Sequence, residues 1–435
     1  MKISFLTTIV LGALLFASCK KDQNAIQQDD TFKNRSTVAD YSGYPTTVQT
    51  VSGNITSNTT WTNDKVWELS GIVTVKAGAT LTINPGTFIK STVNTPGIAN
   101  GVLVIQKGAK INAVGTAASP IVFTSRNLLD GNATTKGAPG DFGGIILLGN
   151  APVNFNKTIE GLPISPDYSF GGTVPTDNSG SLKYVRIEFG GFNLAPNNEV
   201  NGLTLGGVGS GTLLDFIQIS YGKDDGFEFF GGTVNGTHLV AFGSDDDQFD
   251  FDNGYKGTLQ YCIAVADGNS THSTSSGSSD SNGIESDNNA KEEDSTYVLT
   301  PKTRPVLRNF SIVGTQTVAA ATGVGYKYGV RSRRGAEIDM QASIITGFPS
   351  GFVFDAPSTP TGSILTNNSV HGFTAAIVPA VAGNTVNVGT PAQNYGMVSP
   401  WFNVNPAVNF TGTSSRGAVT ATTGNWTNTW TKFVF

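Results

Sequence analysis

Acidic residues recur in phase in one part of this chain. The stretch 224–254, DDGFEFFGGTVNGTHLVAFGSDDDQFDFDNG, opens on DDGFEFFGG and closes on DDQFDFDNG, offset by 22 residues without a gap. On an extended strand alternate residues share a face. Phe227 and Phe229 then lie on one side and Glu228 on the other, and Phe249, Asp250 and Phe251 repeat the arrangement one period later. After an insertion, SNGIESDNN brings Glu285 and Asp287 into the same phase. The result is a column of Glu228, Asp250 and Glu285 and a second of Asp252 and Asp287. In a third, Asp224 and Asp225 underlie Asp246 and Asp247, with Asn201 before and Asn282 after.

Such columns have three chemical uses. Asp and Asn at turns accept hydrogen bonds from nearby backbone amides and stack as polar ladders. Clustered hard oxygens bind Ca2+, which takes about six to eight of them. Asp224, Asp225, Asp246 and Asp247 are the candidate ligands, with Glu228 and Asp250 beside them, although DDDQFDFDNG lacks the spacing of an EF-hand loop. A carboxylate pair with one raised pKa can also hydrolyse a glycoside, and a calcium-assisted polysaccharide lyase would add a Lys or Arg as base. YKYGVRSRRGAE supplies Lys327, Arg331, Arg333 and Arg334. Arg331 and Arg333 share a strand face and either bind an acidic sugar or pair with the acidic columns. Catalysis here would fall to Glu228, Asp250 and Arg331. Ligand binding would draw on Glu228, Asp250, Asp252, Glu285, Asp287, Arg331 and Arg333. His238, His272 and His371 show no Ser-His-Asp or metal-ligand spacing.

Charge sets the condition on these columns. Two unit charges about 4.8 Å apart repel by roughly 3–4 kcal/mol at an effective dielectric near 20, and by about 1 kcal/mol in water. Exposed columns are tolerable; partly buried ones need a cation, a basic partner or a shared proton.

The elements that position these residues form a repeat. Gly202, Gly226, Gly283, Gly329, Gly351 and Gly372 occupy one phase, with Gln248 standing in once. The intervals 226–283 and 283–329 each read as two coils with insertions. Upstream, VKAGATLTINPG and IQKGAKINAVG align Gly78 over Gly108. Between the anchors lie short alternating strands such as YVRIEF, LLDFIQIS and HLVAF, and no segment keeps a helical apolar period. Short strands at a period of about 20–25 residues are the mark of an all-β parallel solenoid. Roughly twelve to fifteen coils, about 4.8 Å apart, make a rod about 60–70 Å long. The four phenylalanines are its internal stack. The insertion DGNSTHSTSSGSSDS and the segment after it, 267–297 together, are placed to wall a cleft over the acidic columns. NWTNTWTKFVF reads as an aromatic cap on the end of the rod, and an aromatic carbohydrate platform is the sharper alternative.

The N-terminus bears on location. Lys2 precedes an apolar run, Ile3 to Phe16, too short to span a bilayer and suited to a signal peptide. LFASC resembles a bacterial lipobox cut before Cys19, with Phe16 where Leu is usual, so residues 1–18 form the signal and Cys19 the lipidated residue. Residues 19–50 are polar and read as a flexible tether, leaving 51–435 for the β-helix. Cys262 is then without a disulfide partner and reads as a small buried hydrophobe. Charged residues make up 14% of the chain and the net charge is −5, which excludes the basic stripe of a nucleic-acid binder.

VTVKAGATLTINPGTFI, GFEFFGGTVNGTHLVAFGSDDDQFDFDNGY and NWTNTWT resemble a family of Bacteroidota cell-surface lipoproteins, over nearly all of residues 50–435. CKKDQ is similar to the surface-export signal of such proteins. The resemblance implies a right-handed parallel β-helix, lipid-anchored in the outer membrane and exposed at the cell surface. It implies no reaction. DDG resembles one motif of β-helix polygalacturonases, whose Arg-x-Lys element is missing. The expectation is therefore a non-catalytic surface protein that binds a glycan or envelope component, or serves an outer-membrane protein complex. The alternative is a calcium-assisted lyase or glycoside hydrolase acting on acidic polysaccharide.

Overall fold

A computed structural model describes residues 41–92, 101–191, 193–195, 198–268, 270, 274–275, 278–317, 325–398, 411–412 and 415–433. The signal peptide, Cys19, His272 and Phe435 lie outside them. The fold is a parallel β-helix: one sheet of 26 strands in which each coil hydrogen-bonds to the next. Each coil contributes up to three strand segments, and like segments stack into three ladders. In one coil these are 213–215, 217–220 and 227–230, and they pair with 235–237, 239–242 and 249–252 of the next.

The second ladder is the longest among the described residues. It begins at Val48 and passes through Val66, Phe88, Val122, Arg186, Gln218, Val240, Ile263, Ser311, Ile344 and Ser369 to Thr385. At about 4.8 Å per step this is roughly 50 Å, shorter than expected from the length of the chain. The difference lies in residues that leave the ladders. In particular, 283–329 is one coil and not two, because Glu285 pairs directly with Arg331.

Alternation fills the core as the sequence requires. Phe227 stacks on Phe249 at 4.9 Å and Phe229 on Phe251 at 5.2 Å, all four buried. Cys262 is buried in the same core, and burial pushes its thiol pKa up. The glycine column is real as far as Gly351. A Cβ on Gly226 would lie 2.7 Å from the Gln248 carbonyl, and one on Gly329 2.5 Å from the Gly351 carbonyl. Gly372 is out of phase: a bulge sets Phe348 opposite Gly372 and Ser350 opposite Ala375.

Two segments cover the outside of the stack. Residues from the 150–172 insertion, with Ile159, Leu162 and Phe170, pack on the outward Val104, Ile146 and Leu148 of the third ladder. The C-terminal aromatics do not cap the rod end. Trp430 packs against Tyr184 and Phe216, and Trp426 against His238, on the flank of the middle coils.

Candidate functional site

The third ladder changes character along its outward face. In the column that begins Val104 and Ile146, the next coils supply Thr204, Glu228, Asp250, Glu285, Arg331 and Val353. The neighbouring column runs through Phe230, Asp252, Asp287 and Arg333. Where the covering insertion ends, a cleft of about 260 Å³ opens over these coils. Twelve of its seventeen lining residues are acidic and three are basic. It gathers every candidate ligand named from the sequence except Arg331, which stands just behind Glu285.

The columns are not the solvated surface that would make them cheap. Asp224, Asp225, Glu228, Asp246, Asp247, Asp252, Glu285 and Asp287 are all buried. Burial, followed by Glu160, Asp225 and Asp250, holds the Glu228 carboxyl well above its ordinary pKa. Burial and Glu285 do the same to Asp247 and to Asp250. Burial raises Asp252 to about 7 against the pull of Lys157, and Glu285 to about 8 against that of Arg333.

Part of the cluster is structural. Asn201 Oδ1 accepts the Asp225 amide at 3.1 Å, Asp225 Oδ1 the Asp247 amide at 2.8 Å, and Asp247 Oδ1 the Asn282 amide at 2.6 Å. This is the expected polar ladder, one rung per coil. Its end rungs, Asn201 and Asn282, also send their side-chain amides to Glu228 and Glu285. Asn201, whose amide oxygen accepts the Asp225 N–H, shows that an amide oxygen suffices for a rung. The charge on the middle rungs, Asp225 and Asp247, is therefore not needed to hold the coils together.

Arginines neutralise one end. Arg331 meets Asp280 at 2.6 Å, Asp355 at 2.8 Å and Glu285 at 3.2 Å. Arg333 holds Asp287 at 2.7 Å and also Glu285, and Arg334 reaches Asp287 at 2.7 Å. Burial alone would lower the Arg331 pKa; Glu285 and its other acidic partners outweigh burial and hold it above its usual value. A guanidinium so fixed is an ion-pair partner and unsuited to the role of base. Lys157 sits over the Phe230 ring at 4.8 Å, bonded to Glu293 at 2.8 Å, beside Asp252. Glu228, Asp247 and Asp250 form no ion pair with any described Lys or Arg.

Carboxylates of the cleft converge around Asp225 and Asp250. Ligand atoms of Asp224, Asp225 and Asp246, of Asp225, Glu228 and Asp250, and of Asp247, Asp250 and Glu285 lie within 4.8 Å of one another in each group. Two oxygens on opposite sides of a Ca2+ ion are about 4.6–5.2 Å apart. Asp250 belongs to two of the groups, and its Oδ1 is shut off from solvent without a hydrogen-bond partner. The donor set thus fits a hard cation.

Several lining residues had no sequence signal. Glu160, Glu199 and Lys157 come from segments outside the repeat, so no phase marks them. Asp280 and Ala290 do come from the insertion expected to wall the cleft.

Residues 53–432 match the pectate-lyase-like β-helix domain. The chain belongs to that family. None of the curated proteins compared with it matches. Among solved structures it is similar to the Dettilon tailspike protein, at 10% identity and a TM-score of 0.26. The similarity covers 78% of this chain and 61% of the tailspike, so the chain spans less than two thirds of that protein's length, and at this level it bears on nothing further.

Proposed function

We propose that this protein is a surface β-helix that binds a glycan through Ca2+ held in the acidic cleft, without cleaving it. The observation that carries this reading is the set of overlapping carboxylate groups around Asp225 and Asp250, in which the Asp250 Oδ1 is shut off from solvent without a hydrogen-bond partner. Asp224, Asp225, Glu228, Asp246, Asp247 and Asp250 would hold the cation, which neutralises their repulsion and presents open coordination sites to sugar oxygens. Arg333, Arg334 and Lys157 at the other end would meet acidic groups on the same glycan. Lipidation of Cys19 and the 19–50 tether would hold the β-helix at the outer membrane, facing outward, as in the Bacteroidota surface lipoproteins that the sequence resembles. Glycan is favoured over an outer-membrane protein complex because the acids converge in a cleft and not on a flat face.

Glu228 gives a second reading its specific support. A buried carboxyl whose pKa burial and neighbouring carboxylates hold well above its ordinary value, beside Asp250, has the makings of a general acid for glycoside cleavage. One experiment separates the two. The domain is titrated with Ca2+ by calorimetry, then offered acidic and neutral polysaccharides with Ca2+ or EDTA, with binding and product release both followed. Calcium-dependent binding without products is expected. Products that vanish in Glu228→Gln would establish the enzyme, and absence of Ca2+ binding would remove the cation from both readings.

A further inference from the structure

In a solenoid each coil touches only its neighbours, so its stability is close to a sum of local terms. Residues 415–433 break that rule. They run along the outer face of the second ladder, against the direction of coil stacking. At one end Arg416 donates to Ser369 at 2.7 Å and to Thr385 at 2.9 Å. Next, Gly417 bonds the Ala342 carbonyl at 2.9 Å and Ala418 the Ser311 hydroxyl at 2.9 Å. Ala418, Val419 and Trp430 then join the outward Val240, Ile263 and Val265 in one apolar cluster. At the far end Gln218 and the Lys432 backbone exchange two hydrogen bonds, at 2.5 and 2.8 Å, and Arg186 donates to the Trp430 carbonyl at 3.1 Å.

The seat of this segment is built for it. Tyr184, Phe216, His238 and Tyr261 all take left-handed backbone, φ between 49° and 55°, at the corner between the first two ladders. Phe216 stacks on Tyr184 at 4.5 Å and on His238 at 4.3 Å, and Trp426 and Trp430 close against their edges. Left-handed backbone is uncommon for aromatic residues. Its repetition in successive coils turns a row of rings toward the segment.

The span matters more than the contacts. The coils that carry Glu228, Asp250, Glu285 and Arg331 place 217–220, 240–242, 263–265 and 311–313 in the second ladder, all between the two ends of the segment. These are the coils whose like charges repel along the stacking axis and whose connections carry the insertions after 267, 288 and 316.

We propose that residues 415–433 act as a longitudinal staple that locks the cleft-bearing coils into one cooperative unit and so fixes the spacing of the cleft carboxylates. This does not depend on whether a cation occupies the cleft. The test is hydrogen exchange of the full chain, in EDTA, with Trp430→Ala and the milder Gln218→Ala compared with the parent. Protection in strands Phe227–Phe230 and Phe249–Asp252 is expected to fall by about tenfold or more, while strand Val66–Val75, outside the span, keeps its protection. Equal loss in all three strands, or none in the cleft strands, would overturn the staple. If Trp430→Ala does not fold, Gln218→Ala decides by the same comparison.

Discussion

Two outer faces of the same rod have opposite solutions to the same problem. On the second ladder the outward residues of the middle coils are apolar, Val240, Ile263 and Val265, and a segment of the chain seals them. On the third ladder the outward residues of the same coils are Asp250 and Glu285, with Glu228 one coil before, and a cleft stands over them. The inward residues do not differ in kind: both ladders bury aliphatics and aromatics in one core. A parallel β-helix needs its inward face for stability and leaves its outward faces to be assigned. Here one is used to stabilise the rod, and the other concentrates charge that destabilises it unless a proton or cation is present.

The largest effect should come from unsealing the apolar face. Trp430 is 1% exposed and lies against Tyr184, Phe216 and Trp426. Trp430→Ala should cost about 3–5 kcal/mol of unfolding free energy in denaturant titration. A cost under about 1 kcal/mol, the range of exposed surface sites, would mean that the segment only drapes over the rod.

The two faces were unequally legible in the sequence. Phe227, Phe229, Phe249 and Phe251 announce the core because a period of two inside a strand and of 22 between strands coincide in one phrase. The acidic columns follow from the same phase. Their burial does not, since it depends on walls supplied by Glu160, Glu199 and Lys157, which belong to no repeat. The sealed face was not legible at all. Tyr184, Phe216, His238 and Tyr261 share a position in their coils, but nothing in residue type marks left-handed backbone when the residue is aromatic. Trp426 and Trp430 were visible as an apolar group that needed a surface, and the flank they chose is set by that hidden row of rings. Gly372 shows the limit from the other side: a glycine in phase by count was moved out of register by a bulge that leaves no residue signature.

Calcium should act on the acidic face alone. A ligand that binds only the folded state at about a thousandfold above its Kd adds about 4 kcal/mol, so scanning calorimetry should show a clear rise in Tm over EDTA. Proton binding gives the sign of the pH dependence. Asp252 titrates at about 7 and Glu285 at about 8 when folded, against about 4 in an unfolded chain. Between those values the folded state holds more protons, so stability in EDTA is full below about pH 4 and is lost as pH rises through 7 and 8. The calcium-induced rise in Tm should therefore be larger at pH 8 than at pH 5. A flat difference would mean that the carboxylates are neutralised by their neighbours and do not wait for a cation.

The smallest effect makes the sharpest distinction, because it separates ladder from ligand within one side chain. Asp225 gives one oxygen to the Asp247 amide and belongs to two of the converging carboxylate groups. Asp225→Asn keeps the rung, as Asn201 does one coil before, and removes the charge. In EDTA this variant should be at least as stable as the parent, because one repulsive charge has gone. Asp225→Ala leaves the buried Asp247 amide without its acceptor and should be less stable by about 1–3 kcal/mol. In Ca2+ both should lose most of the rise in Tm that the parent shows. If Asp225→Asn kept the full rise, the aspartate would be a rung and nothing more, and the acidic face would owe its charge to something other than a cation.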